Sequence, residues 1–322
     1  MSSPIPLSEI LQAQNNIKPI VHKTPLYYSK SLSEMFNKTI YLKLECFQPI
    51  NVFKIRGAYN KIIHLSDKEK KNGIIASSSG NHGIAVSYVG NLLNINTIIC
   101  VPKHANPDKI SIIKKFNAEV IEFGSTYDEC YEHALSIMKN KNLAFVHPFN
   151  DPLVIAGQGV IGLEILDQLD DPDCVIVPIG GGGLISGIAT AIKNIKPRVS
   201  IIGVQPDGAP SMYKSILENK VIKLNTINTI ADGLCTKQPG TLTFELVKKY
   251  VDKLLLVTDD ELKQAVLTLL KEEHILTEPS GIAALASLNQ IKKINGNKIV
   301  LVISGSNISI ELLKNLLVKL KV

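Results

Sequence analysis

The chain has no tryptophan, and aromatic residues make up only 5% of its 322 positions. Nucleic-acid surfaces rely on clustered basic residues interleaved with stacking rings. Here the longest basic cluster, Lys68 to Lys71, is interrupted by Glu69, and the formal charge of +6 is spread over lysines on presumed helix faces. That is a solvated surface, and no nucleic-acid partner is expected. Cysteine is scarce as well. Cys46, Cys100, Cys130, Cys174 and Cys235 lie far apart, with no Cys-x-x-Cys pair and no histidine at zinc-finger spacing, which argues against a disulfide framework and a structural zinc. No apolar stretch is long and uncharged enough to span a bilayer, and Met1 to Pro6 have no secretory pattern. The expectation is a cytoplasmic protein with no membrane partner. No internal repeat, low-complexity tract or Gly/Ser linker divides it.

What is present is an alternation of apolar strand-like runs with amphipathic helical ones. The strands are expected at Thr39 to Glu45, Ile74 to Ala76, Thr97 to Val101, Glu119 to Phe123, Ala144 to His147, Cys174 to Pro178, Ser200 to Val204, Leu254 to Val257 and Lys298 to Ile303. They are too apolar to face water on one side, so the fold class is α/β, with mostly parallel sheets covered by helices on both faces. Thr258-Asp259-Asp260-Glu261 reads as a capping box that opens a helix.

In open parallel sheets, ligands collect at the carboxyl ends of the strands. Three loops there are small and polar: Ser77-Ser78-Ser79-Gly80-Asn81-His82-Gly83, Gly180-Gly181-Gly182-Gly183 leading into Leu184, and Ser304-Gly305-Ser306-Asn307. A glycine run that opens a helix exposes amide N–H groups at the positive end of the helix dipole, as a phosphate requires. The phosphate is not a dinucleotide's by the usual fingerprint, because the next strand ends at Val204-Gln205 with no acid for a ribose, and no Gly-Lys-Ser/Thr marks a P-loop. Histidines do not pair at helical spacing and carboxylates do not cluster, so metal-assisted hydrolysis has no support either. Lys54, between Phe53 and Ile55 after an apolar strand, supplies an alternative. A partly desolvated lysine favours its neutral amine, which can attack a carbonyl.

Taken in order, Phe53-Lys54-Ile55-Arg56-Gly57-Ala58, Ser79-Gly80-Asn81-His82-Gly83, Gly157-Gln158-Gly159 with Gly162-Leu163-Glu164, the four glycines, Ala231-Asp232-Gly233, Glu278-Pro279 and Ser304-Gly305-Ser306-Asn307 run nearly end to end. This set resembles the fold-type II pyridoxal-phosphate enzymes, in the threonine/serine ammonia-lyase (dehydratase) and serine racemase branch. The resemblance implies that Lys54 holds pyridoxal 5'-phosphate as a Schiff base and then serves as the base at Cα. It implies that Gly180 to Gly183 with Leu184 bind the phosphate, Asn81 the ring oxygen and Ser304 the ring nitrogen, while Glu278 lies beside the cofactor. Phe53 and Gly233 would lie against opposite faces of the ring. Ser79, Gly80, Asn81 and His82 would hold the substrate carboxylate, with Ser79 a second catalytic group able to reprotonate Cα from the other face.

The activity so implied is loss of water from a β-hydroxy amino acid to give a 2-oxo acid and ammonia. Serine racemase or hydroxyaspartate dehydratase is the alternative within the family, and a catalytically silent ligand-binding protein the alternative outside it. The choice among threonine, serine and 3-hydroxyaspartate lies in pocket shape. Where related racemases carry a cation-binding glutamate and aspartate, this chain has Gln205 and Ser211, so no metal is expected. Val52 and Ser306 also depart from the usual serine and glycine. The resemblance implies a large domain of 1–72 plus 148–322, a small inserted domain of 73–147, a homodimer or homotetramer, and a short catabolic-type enzyme with no appended regulatory domain.

Overall fold

The computed structural model describes residues 5–318. Met1 to Pro4, and the last positions of the helical stretch expected over Ile308 to Leu320, lie outside the described residues; within them that helix is Ile310–Val318. Ten strands, β1 (Leu26–Ser29), β2 (Thr39–Leu44), β3 (Ile74–Ser77), β4 (Thr97–Val101), β5 (Glu119–Glu122), β6 (Ala144–Phe145), β7 (Cys174–Pro178), β8 (Ser200–Pro206), β9 (Lys253–Val257) and β10 (Lys298–Ile303), form two sheets. The larger runs β1-β2-β10-β7-β8-β9 and the smaller β5-β4-β3-β6. All pairings are parallel except β1 with β2.

The α/β expectation holds, and the reason is visible in the side chains. Along β10, Ile299, Leu301 and Ile303 enter one apolar core while Val300 and Val302 enter the opposite one, and β7 divides in the same way. Side chains alternate across a strand, so both faces of the sheet are covered. The smaller sheet contains only residues of 74–145. Its Ile74, Ala76 and Ile99 share a core with Ile55 and Ile62 of the helix Lys54–Ile63 and with Ile155 and Val160 of the helix Pro152–Gln168. The helix that begins at Lys54 is therefore packed between the smaller sheet's core and the helix Pro152–Gln168.

Close helix approach explains the glycines of the Gly157-Gln158-Gly159 motif. A β-carbon on Gly157 would lie 2.6 Å from the Arg56 carbonyl oxygen, and one on Gly187 2.4 Å from that of Ile155. In the helix that begins at Lys54 and the elements around it, four charged side chains are packed together. Arg56 Nε and Nη2 donate to Glu45, and Nη1 and Nη2 to Glu164, all within 2.7–2.9 Å. Lys43 Nζ reaches Glu164 at 2.6 Å and the Thr24 carbonyl at 2.8 Å. All four residues are buried.

One unexpected strand and one strand end correct the sequence reading most, while β8 runs on to Pro206. β1 was not expected, because its half-exposed edge sequence has no core-facing alternation and gains its shape from pairing with β2. β6 ends at Phe145 instead of His147, since after Val146 N–H bonds the Ile75 carbonyl the chain turns away from β3. The five cysteines are free and four are buried. Burial raises every thiol, with Cys46, Cys100 and Cys174 pushed up to about 12 and Cys235 to about 11.

Candidate active site

Lys54 sits at the first turn of its helix, after the carboxyl end of β2. Its Nζ donates to the Pro148 carbonyl at 2.8 Å and lies 5.3 Å from the centre of the Phe53 ring. Among the described residues no carboxylate forms an ion pair with it. Burial of its end pushes the ammonium down to about 8, because little compensates the lost hydration. Its neighbours add no positive charge. Burial first, with the charge of Lys54 adding to it, pushes His82 down to about 3 and its Nε2 bonds the Val146 carbonyl at 2.8 Å.

The glycine run follows β7, and the helix Gly183–Ile195 starts on its last member. Gly182 has φ +97°, a backbone geometry that a β-carbon would strain. A β-carbon on Gly181 would fall 2.4 Å from the Phe149 ring. The Gly181 carbonyl accepts the Thr243 hydroxyl at 2.6 Å. The first amides of a helix have no intrahelical acceptor, so the glycine run offers a cradle of the kind an anion can use.

From this cradle a chain of contacts returns to Lys54. A β-carbon on Gly180 would meet the Gly233 carbonyl at 3.1 Å, and one on Gly233 would lie 3.8 Å from Asn81 Nδ2. Asn81 Nδ2 donates to Glu278 Oε1, and Asn81 Oδ1 accepts from Asn307 Nδ2 at 2.8 Å. Glu278 N–H bonds the Gly305 carbonyl at 3.2 Å, and Phe53 N–H bonds the Ser304 carbonyl at 3.1 Å. Burial raises the Glu278 carboxyl to about 7 against the pull of Lys109, and its Oε2 has no hydrogen-bond partner. Ser304 and Leu184 are buried beside these residues. Ser79 and Gly80 remain half-buried in the loop that enters the helix Asn81–Leu92. Nothing would stand within 4 Å of a β-carbon on Gly80.

Several participants were not foreseen in the sequence. Pro148 and Phe149 connect Lys54 to the glycine run, and Lys109 of the smaller sheet's helix Pro107–Lys115 pairs with Asp232 of the larger body. The signal for the first two was their place after a strand, obscured by reading that strand two residues too long. The ion pair has no local signal, its members being 123 positions apart.

Comparison with known proteins agrees with this arrangement. The sequence pattern of the family described as "Pyridoxal-phosphate dependent enzyme" matches residues 17–305. L-threonine ammonia-lyase of Thermotoga maritima is 45% identical over 315 residues, covering 98% of this chain and 79% of the relative. The catabolic L-threonine dehydratase of Escherichia coli is 39% identical over 311 residues, covering 96% and 94%. The solved structure of maize serine racemase superposes with a TM-score of 0.93 at 34% identity, covering 98% and 97%. With a desolvated lysine after β2 and a glycine run after β7, inside a sequence that carries the family's pattern from 17 to 305, the chain belongs to the pyridoxal-phosphate-dependent enzymes.

Proposed function

We propose that this protein is an L-threonine ammonia-lyase that also takes L-serine, converting a β-hydroxy amino acid into ammonia and 2-oxobutanoate or pyruvate, the water lost from Cα and Cβ being taken up again on hydrolysis. The observation that carries the reading is Lys54: an ammonium pushed down to about 8 by burial, without a carboxylate partner among the described residues, in a chain 45% identical to an L-threonine ammonia-lyase.

The residues fit pyridoxal phosphate. The opening at Gly180–Gly183 admits no β-carbon at Gly181 or Gly182 without a clash, which suits a phosphate cradled by backbone amides, and Leu184 continues it. Lys54 would hold the carbonyl, Asn81 the ring oxygen and Ser304 the ring nitrogen, with Phe53 and Gly233 on the two faces and Glu278 at the edge. When bound, the cofactor supplies a carbonyl that condenses with amines and a conjugated ring that accepts the electron pair left at Cα.

The protein's own groups do the rest. The loop Ser79–His82 would take the substrate carboxylate on backbone amides near the start of the helix Asn81–Leu92. The free Lys54 amine removes the Cα proton, and the Pro148 carbonyl stabilises the ammonium that results. A hydroxyl at Ser304 does not hold a positive ring as a carboxylate would, so charge at Cα is short-lived and departure of the β-hydroxyl is favoured. The enamine released from the amino acid tautomerises and hydrolyses to the 2-oxo acid and ammonia.

Serine racemization is the second reading, favoured by the likeness to maize serine racemase and by the half-buried Ser79 on the loop before Asn81. A homodimer or homotetramer in the cytoplasm is part of the proposal. No helix among the described residues is long and apolar enough to cross a membrane. The test is a screen of L- and D-β-hydroxy amino acids for 2-oxo acid release and for inversion, with the protein and its Lys54→Ala variant. L-threonine should give the highest kcat/KM, and Lys54→Ala should be inactive. No 2-oxo acid from any substrate, or activity that survives loss of Lys54, would sink the reading.

A further inference from the structure

We propose that His147 is a positioning residue whose imidazole shapes the turn that faces both Lys54 and the glycine run. The inference rests on the reading of Lys54 as the catalytic amine. His147 Nδ1 accepts the Asn150 N–H at 2.8 Å and the Phe149 N–H at 3.2 Å. Proline has no N–H, so the donors left open by a turn at Pro148 are those of Phe149 and Asn150, and both converge on this nitrogen. A nitrogen that accepts two N–H groups carries no proton of its own, which fixes the imidazole as neutral with its hydrogen on Nε2. Its surroundings enforce that state: burial pushes His147 down to about 4, Lys54 adding to the effect and Asp151 opposing it.

The turn is held on either side as well. The Val146 carbonyl takes His82 Nε2 at 2.8 Å, Asn150 Oδ1 takes the Leu242 N–H at 3.0 Å, and Asp151 caps the helix Pro152–Gln168. The His147 ring stands edge-on to Phe149 at 4.7 Å, with Phe145 at 6.2 Å and Tyr131 at 6.3 Å. Between these supports the turn presents two things. The Pro148 carbonyl accepts Lys54 Nζ at 2.8 Å, and the Phe149 ring lies where a β-carbon of Gly181 would be. A free amine has two N–H groups and one lone pair. Donating one N–H to a fixed carbonyl limits where the lone pair can face, which a base acting on one proton of Cα needs. Among the described residues the His147 ring is hydrogen-bonded to the Phe149 and Asn150 amides and not to Lys54 or the glycines, so its action is through the turn.

The experiment compares His147→Leu, which keeps apolar bulk but has no acceptor, with His147→Asn, whose Oδ1 can accept two N–H groups and cannot be charged. In the holoenzyme, His147→Leu should lower kcat about tenfold or more with KM within about twofold, and His147→Asn should recover most of the loss. In the full cofactor-free chain, Lys54 acetylation followed by mass spectrometry across pH should place the amine near 8 in the wild type and lower in His147→Leu, where the carbonyl that stabilises the ammonium is no longer held in place. A third measurement needs no variant: nitrogen NMR of the wild type should show His147 neutral, with its proton on Nε2, down to about pH 5. Unchanged kcat and unchanged Lys54 titration in His147→Leu, a Leu and an Asn variant equally impaired, or a His147 that protonates near its ordinary value would each overturn the proposal. If the wild type released no 2-oxo acid, the activity reading would fail while the amine titration and NMR still judged His147.

Discussion

The ring of Phe149 occupies the space that a β-carbon on Gly181 would need, 2.4 Å away. Gly181→Ala must therefore displace the ring or the cradle, at about 1–3 kcal/mol of overpacking. The expected outcome is at least about tenfold weaker retention of pyridoxal phosphate, measured by equilibrium dialysis, in a protein that still melts cooperatively. Gly181→Ala combined with Phe149→Ala should recover part of that affinity if the ring is the obstacle.

Burial holds the Lys54 ammonium at about 8, below its ordinary 10.5. The unfolded chain keeps its proton over that interval while the folded one gives it up, so the stability of the cofactor-free protein rises with pH between about 8 and 10.5. Lys54→Met removes the titration. It should be the more stable protein at neutral pH, on the order of 3 kcal/mol at most, with the gap closing as pH rises. Urea denaturation at several pH values measures this, and a gap independent of pH would mean that the amine is hydrated.

Arg56 neutralises two buried carboxylates, Glu45 and Glu164, both of which also face Lys43. Arg56→Met leaves more negative than positive charge in a buried site, and a loss of about 3–5 kcal/mol is expected. Chemical denaturation should show it, and a loss under about 1 kcal/mol would indicate that water enters the cluster.

Gln205 is buried with Oε1 on the Tyr213 N–H at 2.8 Å and Nε2 on the Ala209 carbonyl at 3.3 Å, next to the partnerless Ser211 hydroxyl. An amide that already serves both neighbours, with no carboxylate at either position, gives a hard divalent cation little to bind. Activity should be unchanged after chelation and after magnesium is added back. Strong inhibition by the chelator, reversed by magnesium, would show that a cation binds.

The sheets were legible wherever a strand is buried on both faces, because runs such as Val300-Leu301-Val302-Ile303 have few other uses. The glycine cradle was legible because close backbone approach admits little else. β1 was not, since Leu26–Ser29 is half-exposed and takes its conformation from Ile40 to Lys43 opposite. Asn81, Glu278 and Ser304 were each marked by their motifs, but the bond from Asn81 to Glu278 spans 197 positions, and no periodicity encodes such a closure. His147 fell on the wrong side of a strand boundary, and with it went the turn that joins Lys54 to the cradle.

The raised thiols have a meaning beyond packing. An aldehyde is attacked by thiolates as readily as by amines, and a protein that keeps one as a cofactor must restrain its own sulfur. With every cysteine driven towards its protonated form by burial, the chain carries almost no thiolate at neutral pH. Lys54 then meets the carbonyl with little competition from sulfur, and slow reaction of the thiols with mild oxidants and alkylating agents is the expected counterpart.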